Sequence, residues 1–416
     1  MFNIKNNQLF IEGIAVEDII KTHQTPFYLY SQEIIAKTYN ELVKTLKTEI
    51  FYSVKANSNQ AIIKLMYSLG AGVDVVSIGE LKRVLNAGVA KDKIIFEGVG
   101  KSNEDILFAI NQNIRLINAE SIDELYRINS IALSINKIIN IGLRINPNVD
   151  GRTLDKISTG KKTDKFGISI EEFPNLIKVL NKLKNIKIIS ISSHIGSQIF
   201  DIEVFKNLFE VMKKIAEDFL KKNIQIKYID LGGGFGVKYS SKDPTLKLED
   251  LKKIISSCFD DAPYNISFEP GRYLVAKAGF LITKIITTKS NGGVNYLITD
   301  AGMNTFIRPS LYDAIHKIEA VNQLSKVKSE YTIAGPICES SDILAKNIIL
   351  PNQKNGDYLI IHDVGAYGAV MASDYNSRGM PSEILVNGSS LAIIHKPQKI
   401  EEKIDQDIVP TWLDSN

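Results

Sequence analysis

Cysteine is scarce: Cys258 and Cys338 are the only two in a chain of 416 residues. They form no CxxC pair, no metal-ligand spacing and no disulfide framework, which suits a reducing compartment and gives no reason to expect a bound metal. Charge of one sign is also lacking. Lysine and arginine total 50 against 47 aspartates and glutamates, and the formal charge of +3 is spread without long like-charge blocks, so nucleic acid and membrane surfaces are not expected partners. No run of about 18 apolar residues occurs, and Met1–Gln8 lacks the apolar core of a signal peptide. The expected location is the cytoplasm. Two nucleotide fingerprints are missing as well: Gly232-Gly-Gly-Phe-Gly236 lacks GxGxxG spacing, and Gly98-Val-Gly-Lys-Ser102 has Ile95 where a P-loop needs glycine. No internal repeat, low-complexity stretch or long linker breaks the chain.

What is present is a regular alternation. An apolar content of 44% supports a large core, and the length suggests two domains. From Ser31, a good N-cap, an amphipathic helix is expected to Lys47, with Ile34, Ile35, Tyr39, Leu42, Val43 and Leu46 on one face. Strand-like runs then begin near Phe51, Val73, Ile94, Arg115, Ile138, Ile186, Ile226 and Asn265, with helical patterns filling most of the gaps. The pattern matches a (β/α)8 TIM-type barrel, with an open doubly wound sheet as the rival. Residue placement favours the barrel. Lys55, Asp74, Arg144, His194, Gly232–Gly236 and Glu269–Arg272 fall in or after the first, second, fifth, sixth, seventh and eighth strands, and catalytic groups of such barrels gather on the C-terminal face. A lysine partly desolvated at that mouth can bond covalently to an aldehyde cofactor. His194 suits either a structural hydrogen bond or flat stacking on an aromatic ring. Glu269-Pro-Gly-Arg272 is either a surface turn or a carboxylate placed to protonate a ring nitrogen.

From about Leu274 to His395 the texture changes to short β-rich runs separated by Gly, Asn, Ser and Pro, which predicts a mostly antiparallel β-barrel or sandwich domain. The expected division is residues 1–30 packing with the β domain, 31–273 as barrel and 274–416 as the β domain. Three loop-like stretches there carry reactive residues: Asp300–Tyr312, Gly335–Asp342 and Gly365–Gly368.

Eight ordered stretches carry a resemblance: Phe51-Tyr-Ser-Val-Lys-Ala-Asn57, Val73–Leu81, Ser193-His-Ile-Gly-Ser197, Gly232–Gly236, Glu269-Pro-Gly-Arg272, Arg308-Pro-Ser-Leu-Tyr312, Cys338-Glu-Ser-Ser-Asp342 and Gly365-Ala-Tyr-Gly368. On these the chain resembles the diaminopimelate decarboxylases, pyridoxal 5′-phosphate (PLP) enzymes of fold type III, the alanine-racemase-like barrel class. Relatives commonly have Ala at Ser53. The resemblance implies PLP bound covalently to Lys55, His194 stacked on its ring and Glu269 on its pyridine nitrogen. It also implies that Ser197, the loop of Gly232, Gly233 and Gly234, and the Gly271-Arg272 backbone hold the phosphate, with Asp74, Arg144 and Tyr367 beside the cofactor. Arg272, Arg308, Tyr312, Glu339 and Tyr367 would bind the distal end of meso-diaminopimelate. Cys338 would be the proton donor, entering with Glu339 from the other subunit of a homodimer. The implied reaction is decarboxylation at the D-centre to give L-lysine and CO2.

Three alternatives stay open at this level. Another basic amino acid or carboxylated polyamine is disfavoured by Arg308, which asks for a distal carboxylate. A racemase would need tyrosine where Cys338 stands. A PLP-binding protein without activity would have no reason to keep both Lys55 and Cys338.

Overall fold

Eight short parallel strands close on themselves in the computed structural model, which describes residues 2–5, 8–152, 159–322 and 326–413. They are β1 (Glu49–Ser53), β2 (Gly72–Val75), β3 (Ile94–Phe96), β4 (Leu116–Ala119), β5 (Ile139–Asn146), β6 (Ile186–Ser192), β7 (Tyr228–Asp230) and β8 (Asn265–Phe268). Each pairs with the next, and β8 returns to β1 through Ser267 opposite Glu49. All eight strands expected from the sequence are present, so the closed barrel replaces the open-sheet alternative. Nearly every residue of β1 to β4 is buried, the mark of strands covered on both faces.

Most of the longer barrel helices start where the sequence offers a side-chain oxygen, Phe173–Leu180 and Leu248–Phe259 being exceptions. Asn59 caps Gln60–Ser68, Ser77 caps Ile78–Asn86, Ser121 caps Ile122–Ser134 and Asp201 caps Ile202–Leu220; Ser102 and Asp105 form a reciprocal capping box on Asn103–Gln112. Ser31 accepts from the N–H of Ile34 at the start of Gln32–Leu46. The N-terminal end of the barrel is plugged. Phe51, Ile95, Leu116 and Ile189 form an apolar cluster, and the Arg115 guanidinium stacks 5.1 Å from the Phe51 ring centre and 4.6 Å from that of Tyr228 while pairing with Glu49. Packing fills this end, which leaves the other end to carry chemistry.

Two units separate: residues 36–275, and residues 1–35 together with 276–416. In the second, Phe27–Ser31 lies between Gly279–Asn291, antiparallel, and Ser382–Asn387, parallel. Phe27, Leu29, Phe280, Ile282, Ile360 and Ile384 pack together as its core. Pairing is mostly antiparallel, with a second parallel contact between Val294–Thr299 and Lys328–Ala334. Four strands here were not expected from the sequence: Phe2–Lys5, Ile14–Ala15, Ile318–Ala320 and Ile343–Pro351. No helix among the described residues is long and apolar enough to cross a membrane.

Candidate active site

The chain leaves β1 through a single 3-10 turn, Val54–Ala56, and Lys55 sits half-buried in it. The turn is pinned on both sides: Tyr52 Oη donates to the Asn57 carbonyl at 2.8 Å, and Asn57 Oδ1 accepts from the N–H of Asn59 at 3.1 Å. Directly beside it, Asp74 of β2 is buried and accepts from Ser53 Oγ at 2.7 Å. Burial raises the Asp74 carboxyl above its ordinary value, against the opposing pull of Lys55.

Further carboxyls converge on the same end of the barrel. Glu97, after β3, accepts from Asn118 Nδ2 and from Ser192 Oγ at 3.0 Å, and burial pushes it up to about 7 despite the charge of Arg144. Asp230, at the end of β7, is likewise pushed up to about 7 by burial while accepting from Ser267 Oγ and the N–H of Gly232. Glu269, after β8, is raised well above the usual carboxylate range, first by burial and then by Asp230, Asp74 and Glu97. One cation is already paired: Arg144 Nη1 donates to Glu120 Oε1 at 2.9 Å and lies 4.7 Å from the Phe166 ring centre. Glu120 also accepts from the N–H groups of Gly98 and Gly167, so its position is fixed from three sides. The mouth therefore holds more buried carboxyl than cation. Glu269 Oε1 is buried with no hydrogen-bond partner among the described residues.

His194 lies beyond β6, partly exposed. Its Nδ1 accepts from the N–H of Gly233 at 3.2 Å, which requires a lone pair on that nitrogen. Burial, then Lys55 and Arg144, hold its pKa well below the ordinary value, so the ring is neutral with its proton on Nε2. Glycine at 232 and 233 is a steric necessity. A Cβ on Gly233 would sit 2.3 Å from the Glu269 carbonyl, and one on Gly232, where φ is +68°, would sit 2.5 Å from that of Ser193. These contacts bring three loops into register, but they also narrow what the glycine loop can offer an anion. The N–H groups of Gly232 and Gly233 are committed to Asp230 and His194, while those of Gly234 and Gly271 have no acceptor among the described residues. Arg272 donates from Nε to Ser197 Oγ and from Nη1 to Tyr239 Oη, both at 3.2 Å.

Lys55, Asp74, Arg144, His194, Ser197, Gly232–Gly234, Glu269, Gly271 and Arg272 thus share the C-terminal face of one barrel. The remaining expected residues belong to the other unit. Arg308 is buried at the start of the short helix Arg308–Tyr312, with Nε 3.3 Å from His316 Nε2, and Tyr312 ends that helix half-buried. Cys338 and Glu339 are exposed in a loop gathered by Asp342, whose oxygens accept from the N–H groups of Met303 and Ile337. Glu339 accepts from Tyr375 Oη at 2.6 Å and Ser341 Oγ at 3.0 Å, and these bonds, that of Tyr375 first, hold it below its ordinary value. Tyr367 adopts a left-handed backbone, φ +54°, rare for a bulky side chain outside functional loops.

Sequence reasoning missed Glu97, Asn118, Glu120, Ser192 and Asp230. The available signal was a polar residue interrupting or ending a run of buried apolar strand residues, as in Ile94-Ile-Phe-Glu97 and Tyr228-Ile-Asp230.

A parallel barrel with an attachable lysine, an orphan carboxyl and a neutral histidine at its mouth is the architecture of the PLP-dependent decarboxylases, and residues 32–276 match the family model described as "Pyridoxal-dependent decarboxylase, pyridoxal binding domain". The whole chain narrows this further. It is 37% identical over 398 residues to a diaminopimelate decarboxylase of Aquifex aeolicus, covering 95% of each chain, and 40% identical over 390 residues to one of Helicobacter pylori, covering 93% of this chain and 96% of that one. The solved diaminopimelate decarboxylase of M. jannaschii superposes with a TM-score of 0.94 at 35% identity, covering 99% of this chain and 98% of that one. That of H. pylori, complexed with L-lysine, gives 0.89 at 38%, covering 94% and 99%. The chain belongs to the diaminopimelate decarboxylase family.

PLP is the cofactor of this family, and the barrel fits it. The orphaned Glu269 Oε1 is the acceptor that a protonated pyridine nitrogen requires, and the surplus of buried carboxyl favours a cationic ring.

Proposed function

We propose that the chain removes the D-centre carboxylate of meso-2,6-diaminopimelate to give L-lysine and CO2, the last step of lysine biosynthesis, as a cytoplasmic homodimer. Family likeness over nearly the full length of the chain is the observation that carries this reading. When bound, PLP accepts the electron pair released as the carbon–carbon bond breaks.

The chain's own residues do the rest. Lys55 supplies the amine that holds the cofactor, and its pinned turn fixes the backbone from which that side chain extends. Glu269 Oε1 shares a proton with the ring nitrogen, in a site whose burial strengthens the contact. His194, neutral and held by the Gly233 N–H, presents a flat face for stacking without adding positive charge. Ser197 and the amides of Gly234 and Gly271 are placed for the phosphate, and Asp74, Arg144 and Tyr367 flank the cofactor. Arg308 binds the distal carboxylate with Tyr312, Arg272, Glu339 and Tyr367. Cys338 delivers a proton to the carbon that has lost CO2, coming from the second subunit of the dimer; its exposure in the single chain supports that role.

The test is twofold. Borohydride should fix PLP to the peptide bearing Lys55, and Lys55→Ala should abolish both fixation and turnover. Arg308→Ala should keep PLP while losing most kcat/KM for diaminopimelate, because it meets only the far end of the substrate. Turnover of lysine or ornithine equal to that of meso-diaminopimelate would contradict the distal-carboxylate reading.

A further inference from the structure

The short helix carrying Arg308 spans only Arg308–Tyr312, begins with Pro309 behind the arginine and ends at Asp313 in a left-handed conformation. A five-residue element of that kind gives a long side chain little of its own orientation. A histidine eight residues on supplies a fixed partner for it. His316 is buried, with 3% of its surface exposed, and its Nε2 lies 3.3 Å from Arg308 Nε. Its Nδ1 lies 2.9 Å from the carbonyl of His362. A carbonyl only accepts, so Nδ1 carries the proton and donates; a guanidinium Nε–H only donates, so Nε2 carries the lone pair and accepts. Both neighbours therefore demand the same neutral tautomer. A doubly protonated ring would set N–H against N–H beside a cation that never loses its charge.

The ring itself is anchored. Phe306 meets it edge-on, centroids 4.8 Å apart at 80°. The carbonyl that orients it belongs to the last residue of Tyr358–His362, a strand paired with Gly279–Asn291 on one side and Ile318–Ala320 on the other. The His362 N–H is bound to the Lys317 carbonyl at 2.9 Å, and its ring Nε2 lies 2.9 Å from Glu319 Oε2. The Nε–H bond of an arginine lies in the guanidinium plane, so a fixed acceptor there sets the rotation of the whole fork.

We infer that His316 is a positioning residue for the distal carboxylate of the substrate: its neutral Nε2 fixes the plane of the Arg308 guanidinium and transmits to it the rigidity of the strand ending at His362. This deepens the substrate reading and rests on Arg308 being the carboxylate ligand.

L-Lysine and cadaverine, its analogue without the carboxylate, separate positioning from mere stability. With the PLP-loaded protein, calorimetric titration of the two ligands gives the contribution of the carboxylate as a ratio of dissociation constants. His316→Leu, which leaves Nε–H facing a methyl group, is expected to weaken lysine binding and raise KM for meso-diaminopimelate by about 10- to 100-fold, with cadaverine binding and kcat within a few-fold of the parent. His316→Gln puts an amide oxygen near the Nε2 position and should recover lysine binding to within about fivefold. In the Arg308→Ala background, His316→Leu should change lysine binding by less than about threefold, because the two residues act as one unit. If His316→Leu yields no folded, cofactor-loaded protein, His316→Asn replaces it, keeping the donor toward His362 and withdrawing the acceptor from Arg308.

Equal weakening of lysine and cadaverine, failure of glutamine to outperform leucine or asparagine, or additive losses in the double variant would overturn the positioning role. Parent-like lysine binding by Arg308→Ala would instead overturn the role of Arg308, and the inference with it.

Discussion

Burial of charge decides what single residues do in this barrel. Glu97 illustrates the sign. Its carboxyl titrates near 7 in the folded chain against an ordinary value of 4.5, so between those values the native state holds the extra proton. Its contribution to stability is fully present below about pH 4.5 and is lost as pH rises through about 7, at up to about 1.4 kcal/mol per pH unit. Asp230 acts in the same direction. The cofactor-free protein should therefore lose stability between pH 5 and pH 8, and Glu97→Gln should remove a substantial part of that loss, since a neutral amide also offers a donor to Asn118 Oδ1, which has no partner among the described residues. Urea unfolding of both proteins at the two pH values checks this; identical pH dependence would contradict it. Lys55, His194 and Glu269 were legible in the sequence because each stands in a distinctive stretch at a strand end. Glu97 and Asp230 were not, because an acid closing an apolar run looks like the solvated end of a strand until the fold shows what surrounds it.

At the scale of elements, the strand–loop junctions carry the site. The eight barrel strands were readable because most are short runs rich in apolar residues set between helical patterns. Ile343–Pro351 was harder to read: it has exposed residues on both faces, register shifts against its partner and proline at its end. Ile318–Ala320 is too short to show a period. The tightest junction is where Gly233 passes the Glu269 carbonyl. Gly233→Ala forces the β7 and β8 loops apart, moving the backbone that positions both Glu269 and His194. PLP affinity should fall by about tenfold or more, read from the absorbance of the bound cofactor during titration. Unchanged affinity would mean that the loops relax without consequence for the site.

At the scale of the whole molecule, the chain begins and ends in the same unit, with Phe27–Ser31 held between strands that follow the barrel in sequence. The barrel segment is thus an insertion between two parts of one sheet, a relation that composition hinted at through the strand-like start of the chain but that only pairing partners reveal. The proposed homodimer gives a quantitative expectation. Neither the Lys55→Ala nor the Cys338→Ala homodimer should turn over appreciably, whereas a doubly tagged hybrid of the two has one intact site of two and should show about half of wild-type activity. An inactive purified hybrid would mean that both residues serve one site from one chain, or that Cys338 has no part in the chemistry. The central claim is the reaction at the D-centre, and meso-diaminopimelate labelled in its D-centre carboxyl carbon tests it most directly. The PLP-loaded protein should release all of the label as CO2 and form one unlabelled L-lysine for each CO2; label retained in lysine, or no CO2 at all, would contradict the account.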